Sequence, residues 1–238
     1  MISIFLPIRK GSRRIINKNL KKLPHFSYGL TEIKIKQLEK FKFISSKLKQ
    51  KFEFVVSTDS KKILKILKKY SWIKLHRRHK KLSTDDSLQG LINHVPKICK
   101  GDLILWTHVT SPFFDQKDYF DFIKKFLLEY KKKKFKSAFS ADKVQKFIYR
   151  EDKKWISHNY DKKKWPRTQD LLNSYILNSA ALIAKRSVYE LNRDRLCKNP
   201  LPIISRSNSG FDIDDLEDFN YIKKNLKKYG TKFREFSI

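Results

Sequence analysis

Only two cysteines occur in the 238 residues, Cys99 and Cys197, and they lie far apart in the chain. They match no metal-binding or redox spacing, so thiol chemistry is excluded as an organising feature and both are expected as buried or incidental side chains. No apolar run is long enough to cross a bilayer. The apolar start, Met1 to Ile8, is too short and meets charge too early for a signal peptide, which makes the cytoplasm the default location. Metalloprotease H-E-x-x-H and nucleophile-elbow G-x-S-x-G motifs are missing, as is any repeat of about 20 to 50 residues. His76 and His79 have only arginines between them and no acidic or cysteine partner nearby, so they read as a loop pair and not as zinc ligands.

Acidic residues are also scarce. The chain has 24 of them against 55 basic ones, for a formal charge of +31, which raises a nucleic-acid or anionic-membrane partner directly. Composition tempers that reading, because the 43 lysines outnumber the 12 arginines and recur in nearly every expected helix. Recognition surfaces concentrate charge and favour arginine, so most of this excess is read as solvated surface with no specific nucleic-acid site. The length and a hydrophobic content of 40% suit one folded α/β domain spanning 1–238.

What the sequence does contain begins at its first twenty residues. Met1 to Ile8 reads as a buried strand that breaks at Arg9 into a basic loop through Lys10, Gly11, Ser12, Arg13 and Arg14 to Lys18, Asn19 and Leu20. A glycine for close backbone approach, exposed N–H groups and the cations Arg9 and Lys18 suit a polyanion at a strand's carboxyl end, such as a nucleotide phosphate. The spacing is neither a Walker A loop nor a dinucleotide G-x-G-x-x-G. On these residues alone an ordinary solvated loop explains the stretch as well.

Alternation then continues. A helix is expected over Leu30 to Lys42 with Thr31 as cap, and a strand over Phe52 to Val56. That strand ends at Ser57, Thr58, Asp59 and Ser60, before a helix with the stripe Ile63, Leu64, Ile66, Leu67 and Tyr70. Trp72 to Leu75 is a short strand, Ser87 to Val95 a helix ending or kinking at Pro96, and Leu103 to Trp106 a strong strand running into His108 to Pro112. Another helix covers Tyr119 to Tyr130. The pattern predicts a mostly parallel sheet flanked by helices, with its ligand beyond the strands' carboxyl ends where the strand order reverses. Arg9 to Lys18, Ser57 to Ser60 and His108 to Pro112 are expected to converge there.

From about 140 to 173 the pattern lapses into short strand pieces among Trp155, Tyr160 and Trp165, which reads as an inserted arm. Its aromatics can stack bases or bury against a second subunit, and the subunit is favoured. Order returns at Tyr175 to Ile183, and a terminal helix follows with Leu216, Phe219, Ile222 and Leu226 on its stripe and Tyr221 off it. Just before that helix, Asp212 and Asp214 flank Ile213 and in an extended segment point the same way, which suits one Mg²⁺ shared with nucleotide phosphates. Asp214 and Asp215 equally suit a helix amino-terminal cap.

These residues taken in order resemble a family. Leu6, Pro7, Arg9, Gly11, Ser12, Lys18, Asn19 and Leu20 resemble the opening signature of CMP-sialic acid synthetases, the acylneuraminate cytidylyltransferases. The likeness continues through Ser57, Thr58 and Asp59; Arg78, Leu82 and Asp85; Thr110, Ser111 and Pro112; Arg167, Gln169, Asp170 and Leu171; Asn178; and Asp212, Ile213 and Asp214. It implies a Rossmann-like nucleotidyltransferase that joins CTP to a nonulosonic 2-keto acid sugar, releases pyrophosphate and uses Mg²⁺, as in surface polysaccharide biosynthesis. By that resemblance Arg9, Gly11, Ser12, Lys18, Asn19 and Arg78 hold the nucleotide, with Arg9, Lys18, Asp212 and Asp214 as the catalytic set. His108, Thr110, Ser111, Arg167, Gln169 and Asn178 line the sugar side, Asp212 and Asp214 bind the metal, and the arm forms a homodimer. The chain departs from the family pattern at His79, His108 and Ser179, where proline, glutamine and glycine are usual. CMP-Kdo synthesis shares the chemistry on an eight-carbon acid, and a non-catalytic nucleic-acid-binding protein is the reading from another class.

Overall fold

The computed structural model describes residues 1–12, 14–84 and 87–233; Arg13 and Asp85 of the motifs above lie outside the described residues. Its centre is a seven-stranded sheet. The strands are β1 (Ile2–Ile8), β2 (Phe52–Thr58), β3 (Ile73–Arg77), β4 (Leu103–Thr107), β5 (Ser137–Val144), β8 (Ser174–Lys185) and β9 (Leu201–Ile204), in the order β3-β2-β1-β4-β8-β5-β9. Every neighbouring pair is parallel except the two that β8 makes, so β8 alone runs against the rest. A minor ribbon of β6 (Tyr149–Arg150) and β7 (Lys154–Trp155) lies within the arm.

Period-two alternation explains why the strands read as continuous apolar runs. In β1, Ile2, Ile4, Leu6 and Ile8 enter one core, while Phe5 enters the other with Val55, Ile104 and Trp106. The first core is covered by helices α1 (Gly29–Ser45), α4 (Gln116–Lys131) and α5 (Leu216–Tyr229), and the second by α3 (Leu88–Ile98) and the wide turn Val188–Asn192. The short helix α2 (Lys61–Leu67) is capped by Ser60, whose Oγ accepts from the Ile63 N–H.

Several local expectations change. Helix α1 starts at Gly29, in the left-handed region at φ +52°, where a Cβ would lie 2.1 Å from the Lys21 carbonyl oxygen. Thr31 is therefore inside the helix, and its hydroxyl donates to the Asn19 carbonyl instead of capping. Helix α3 continues past Pro96 to Ile98, and the carbonyls of Pro96, Cys99 and Gly101 are gathered by the Arg186 guanidinium. On α5, Leu216 is exposed, whereas Tyr221 packs against Phe211 and Phe113. Asp215 is the N-cap of that helix in a capping box with Asp218. No helix among the described residues is long and apolar enough to cross a membrane.

Candidate active site

Strand β1 is followed outward by β2 and β3 on one side and by β4 on the other, so the chain reverses its direction of travel across the sheet between β1 and β4. A cavity of about 360 Å³ opens there. Its described walls come from the end of β1 and the loop after it, through Pro7, Arg9, Gly11, Ser12, Lys18 and Asn19; from Arg78, Leu82, Ser87 and Leu91 after β3; and from Trp106, His108 and Thr110 at the end of β4. Of the nucleotide residues expected from sequence, Arg9, Gly11, Ser12, Lys18, Asn19 and Arg78 all line it. The Ser57 to Ser60 turn does not. It buttresses the wall instead: Asp59 accepts from the Lys10 N–H at 2.8 Å, and the Thr58 carbonyl accepts from the Arg78 N–H at 2.8 Å.

The lining includes donors that the described residues leave unused. Arg78 is buried, and two of its guanidinium nitrogens, Nε and one terminal nitrogen, have no hydrogen-bond partner among the described residues. Burial lowers its basicity, and Arg9 adds to that, while Asp59 opposes it. An unpaired buried cation at a cavity wall calls for an acceptor-rich ligand. At Gly11 an added Cβ would meet no protein atom within 4 Å, so the open space over its backbone belongs to the cavity. Asn19 spends its amide on the Arg9 carbonyl at 3.0 Å, bracing the loop it sits in.

Lys18 joins the two ends of the chain. Its Nζ donates to the carbonyl of Ile213 at 2.6 Å, between Asp212 and Asp214. Burial lowers the Lys18 pKa, with Asp212 and Asp214 opposing. The two aspartates have unequal surroundings. Asp214 is exposed and paired with Arg14 at 2.9 Å, whereas Asp212 Oδ1 is buried without a partner among the described residues. The Asp212 carboxylate also opposes the effect of burial on Lys34 and His108, so one orphaned acid stands among three bases. Among the described residues no three His, Cys, Asp or Glu side chains form a metal cage. The unpartnered Oδ1 of Asp212, with Asp214 beside it, nevertheless fits a divalent ion that takes its other ligands from phosphates.

On the opposite wall His108 is fixed at both ring nitrogens. Nδ1 donates to the Ser179 carbonyl at 2.8 Å, and Nε2 accepts from the Trp106 indole N–H at 2.8 Å. Burial lowers its pKa, and because Nε2 accepts the indole N–H while Nδ1 faces a carbonyl, the two bonds fit the neutral ring with its proton on Nδ1. Thr110 lines the cavity beside it.

The remaining residues expected on the sugar side are placed elsewhere. Ser111 is fully buried and offers its carbonyl to Lys34, because the turn after β4 directs the side chain inward. Asn178 is buried under a polar network with Ser140, Asp142 and Ser205 and does not line the cavity. Arg167 and Gln169 lie on the exposed arm, where Arg167 makes a two-pronged pair with Asp170. The arm itself spans 145–173, since β5 runs on to Val144. Its aromatics gather into one cluster of ring contacts. Trp155 packs with Phe147, Tyr149, Tyr160 and Trp165 and is itself half-buried, while Phe147, Tyr149 and Trp165 keep an exposed side.

Sequence reasoning missed Lys34, which looked like one more lysine on a surface helix. It is fully buried behind the turn after β4. Its place beside Ile33 and one helical turn before Gln37 and Leu38, on the buried side of α1, was the available signal.

A family model described as a cytidylyltransferase matches residues 3–199. Among solved structures the fold is similar to the 4-diphosphocytidyl-2C-methyl-D-erythritol synthase of Anaerococcus prevotii, at 15% identity and TM-score 0.62 over 95% of this chain and 96% of that one. It is also similar to a CMP:2-keto-3-deoxy-manno-octonic acid synthetase complexed with CTP, at 11% identity and TM-score 0.61 over 95% and 98%. A cytidylyltransferase from Leptospira borgpetersenii matches at 16% identity and TM-score 0.55 over 100% and 98%. No curated protein matches by sequence.

Proposed function

The chain belongs to the cytidylyltransferase family, and from that premise we propose that it transfers CMP from CTP to the anomeric hydroxyl of a nonulosonic, sialic-acid-like 2-keto acid. The observation that supports this reading is the Lys18 contact with Ile213, which ties the loop lining the cavity to the segment that carries Asp212 and Asp214, although neither aspartate lines the cavity itself. The acceptor hydroxyl oxygen bonds to the α-phosphorus, the bond from that phosphorus to the pyrophosphate oxygen breaks, and the hydroxyl proton passes to solvent. Arg9, Lys18 and the Ser12 N–H stand where charge gathers on the phosphates and hold them without reorganising. Arg78, at the apolar end formed with Leu82, Leu88 and Leu91, supplies donors to the nucleotide. Asp212 and Asp214 would hold Mg²⁺, which when bound neutralises phosphate charge and polarises the phosphorus. His108 and Thr110 face the acceptor side.

The fold shared with the CMP:2-keto-3-deoxy-manno-octonic acid synthetase favours a second reading, in which the acceptor is that eight-carbon acid. Both acceptors carry a carboxylate. Pyrophosphate release from CTP and Mg²⁺, measured with sialic, legionaminic and pseudaminic acids and with the eight-carbon acid, separates the two. Turnover with none of the four overturns the acceptor class. The exposed apolar residues Tyr175, Ile176 and Leu177, where β8 leaves the arm, support a homodimer.

A further inference from the structure

We infer that Lys34, on helix α1 and outside the nucleotide cavity, is a positioning residue that holds the Asp212 and Asp214 segment against the cavity; the inference rests on the reading of that pair as the ion site. Lys34 is fully buried, and among the described residues it makes no ion pair. Its Nζ donates to the carbonyls of Ser111 at 2.8 Å and Phe114 at 3.1 Å and lies 5.1 Å from the Tyr119 ring centroid. A buried ammonium satisfied by carbonyls alone is an unfavourable way to fill a core position. The contacts it makes therefore identify its role.

Those carbonyls belong to the turn after β4. Gln37, one helical turn along α1, donates to the Pro112 carbonyl, so α1 grips Ser111, Pro112 and Phe114 together. The same turn grips the acid segment, since the Thr110 carbonyl accepts from the Ile213 N–H at 2.8 Å. Ile213 hangs between that carbonyl and Lys18, with one aspartate on each side. If Lys34 goes, one of the two anchors of Ile213 loses its own support. Lys18 remains.

The test uses the full chain with Lys34→Met, which keeps the length and removes the donors. Hydrogen exchange should rise about tenfold at the peptide containing Ile213, and Mn²⁺ affinity, read by electron paramagnetic resonance, should fall about tenfold. The kcat should drop by a similar factor while KM for CTP moves less than about threefold, because the nucleotide wall is untouched. A folded Lys34→Met protein with unchanged exchange at Ile213 overturns the inference. Should that variant not fold, Lys34→Gln, whose shorter side chain cannot reach both the Ser111 and Phe114 carbonyls, is measured by the same exchange experiment, and no change there also overturns it. If wild type binds no Mn²⁺ while exchange at Ile213 still responds to the substitution, the anchoring stands and the ion-site reading is what fails.

Discussion

His108 Nδ1 donates to the carbonyl of Ser179 at 2.8 Å, and Ser179 adopts φ +60° to present it. These are two of the three positions at which the chain departs from the pattern its motifs resemble, and they are in contact. A glycine is usual at 179 because the left-handed region penalises a Cβ. Ser179→Gly should therefore stabilise the fold by up to about 1 kcal/mol, raising Tm by about 2–4 °C in thermal denaturation. Ser179→Val should cost at least about 1 kcal/mol, since a branched side chain tolerates that region worst. Equal melting temperatures for both variants would contradict the assigned conformation.

Lys18 is the cation most committed to both walls. Replacing it with methionine should lower kcat/KM for pyrophosphate release by about 10²–10³-fold, the usual cost of one preorganised charge. Stability should change by less than about 1 kcal/mol, because the lost hydrogen bond is offset by relief of a half-buried ammonium. An activity within fivefold of wild type, roughly 1 kcal/mol in barrier, would refute the assignment.

The Lys34 ammonium is pushed down to about 7 from 10.5 by burial, against the pull of Asp118, Asp115 and Asp212. The unfolded chain thus holds a proton that the folded chain releases as pH rises above 7. Stability must then increase with pH between about 7 and 9, by up to about 1.4 kcal/mol per unit from this group. Above that window the Cys99 thiol, pushed up to about 12 by burial, works in the opposite sense. Urea denaturation at pH 7, 8 and 9 should show this slope in wild type and a flatter one in Lys34→Met.

Ile176 is 57% exposed at the root of the arm. Ile176→Asp should leave the far-UV circular dichroism unchanged and weaken self-association by about 30-fold or more, the cost of losing an apolar contact of about 2 kcal/mol. Sedimentation of the wild-type chain at micromolar concentration reads the reference state. A wild-type monomer there would remove the proposed dimer.

Much of this architecture was legible because it depends on short-range rules. The strand, polar end and helix alternation follows from apolar periodicity, and the opening loop announced its cavity through Arg9, Gly11 and Lys18. What stayed hidden depends on partners distant in sequence. Thr31 looked like a cap because capping is local, yet its hydroxyl is taken by Asn19 through the fold. Ser111 sat in a polar motif that gives no sign of which way a side chain turns. Arg167 and Gln169 were drawn to the sugar side by motif order, whereas the arm carries them out to solvent in this chain. Lys34 was lost among 43 lysines, since composition averages away the single one that is buried.

The reversal of β8 has a mechanical result. Strand β5 ends at Val144 and β8 begins at Ser174 beside it, so the 29 residues between them form the tip of a long hairpin. Because β5 points the same way as β1 and β4, that tip rises from the rim on which the cavity opens. A second molecule grasped by the tip would stand at the doorway of the cavity.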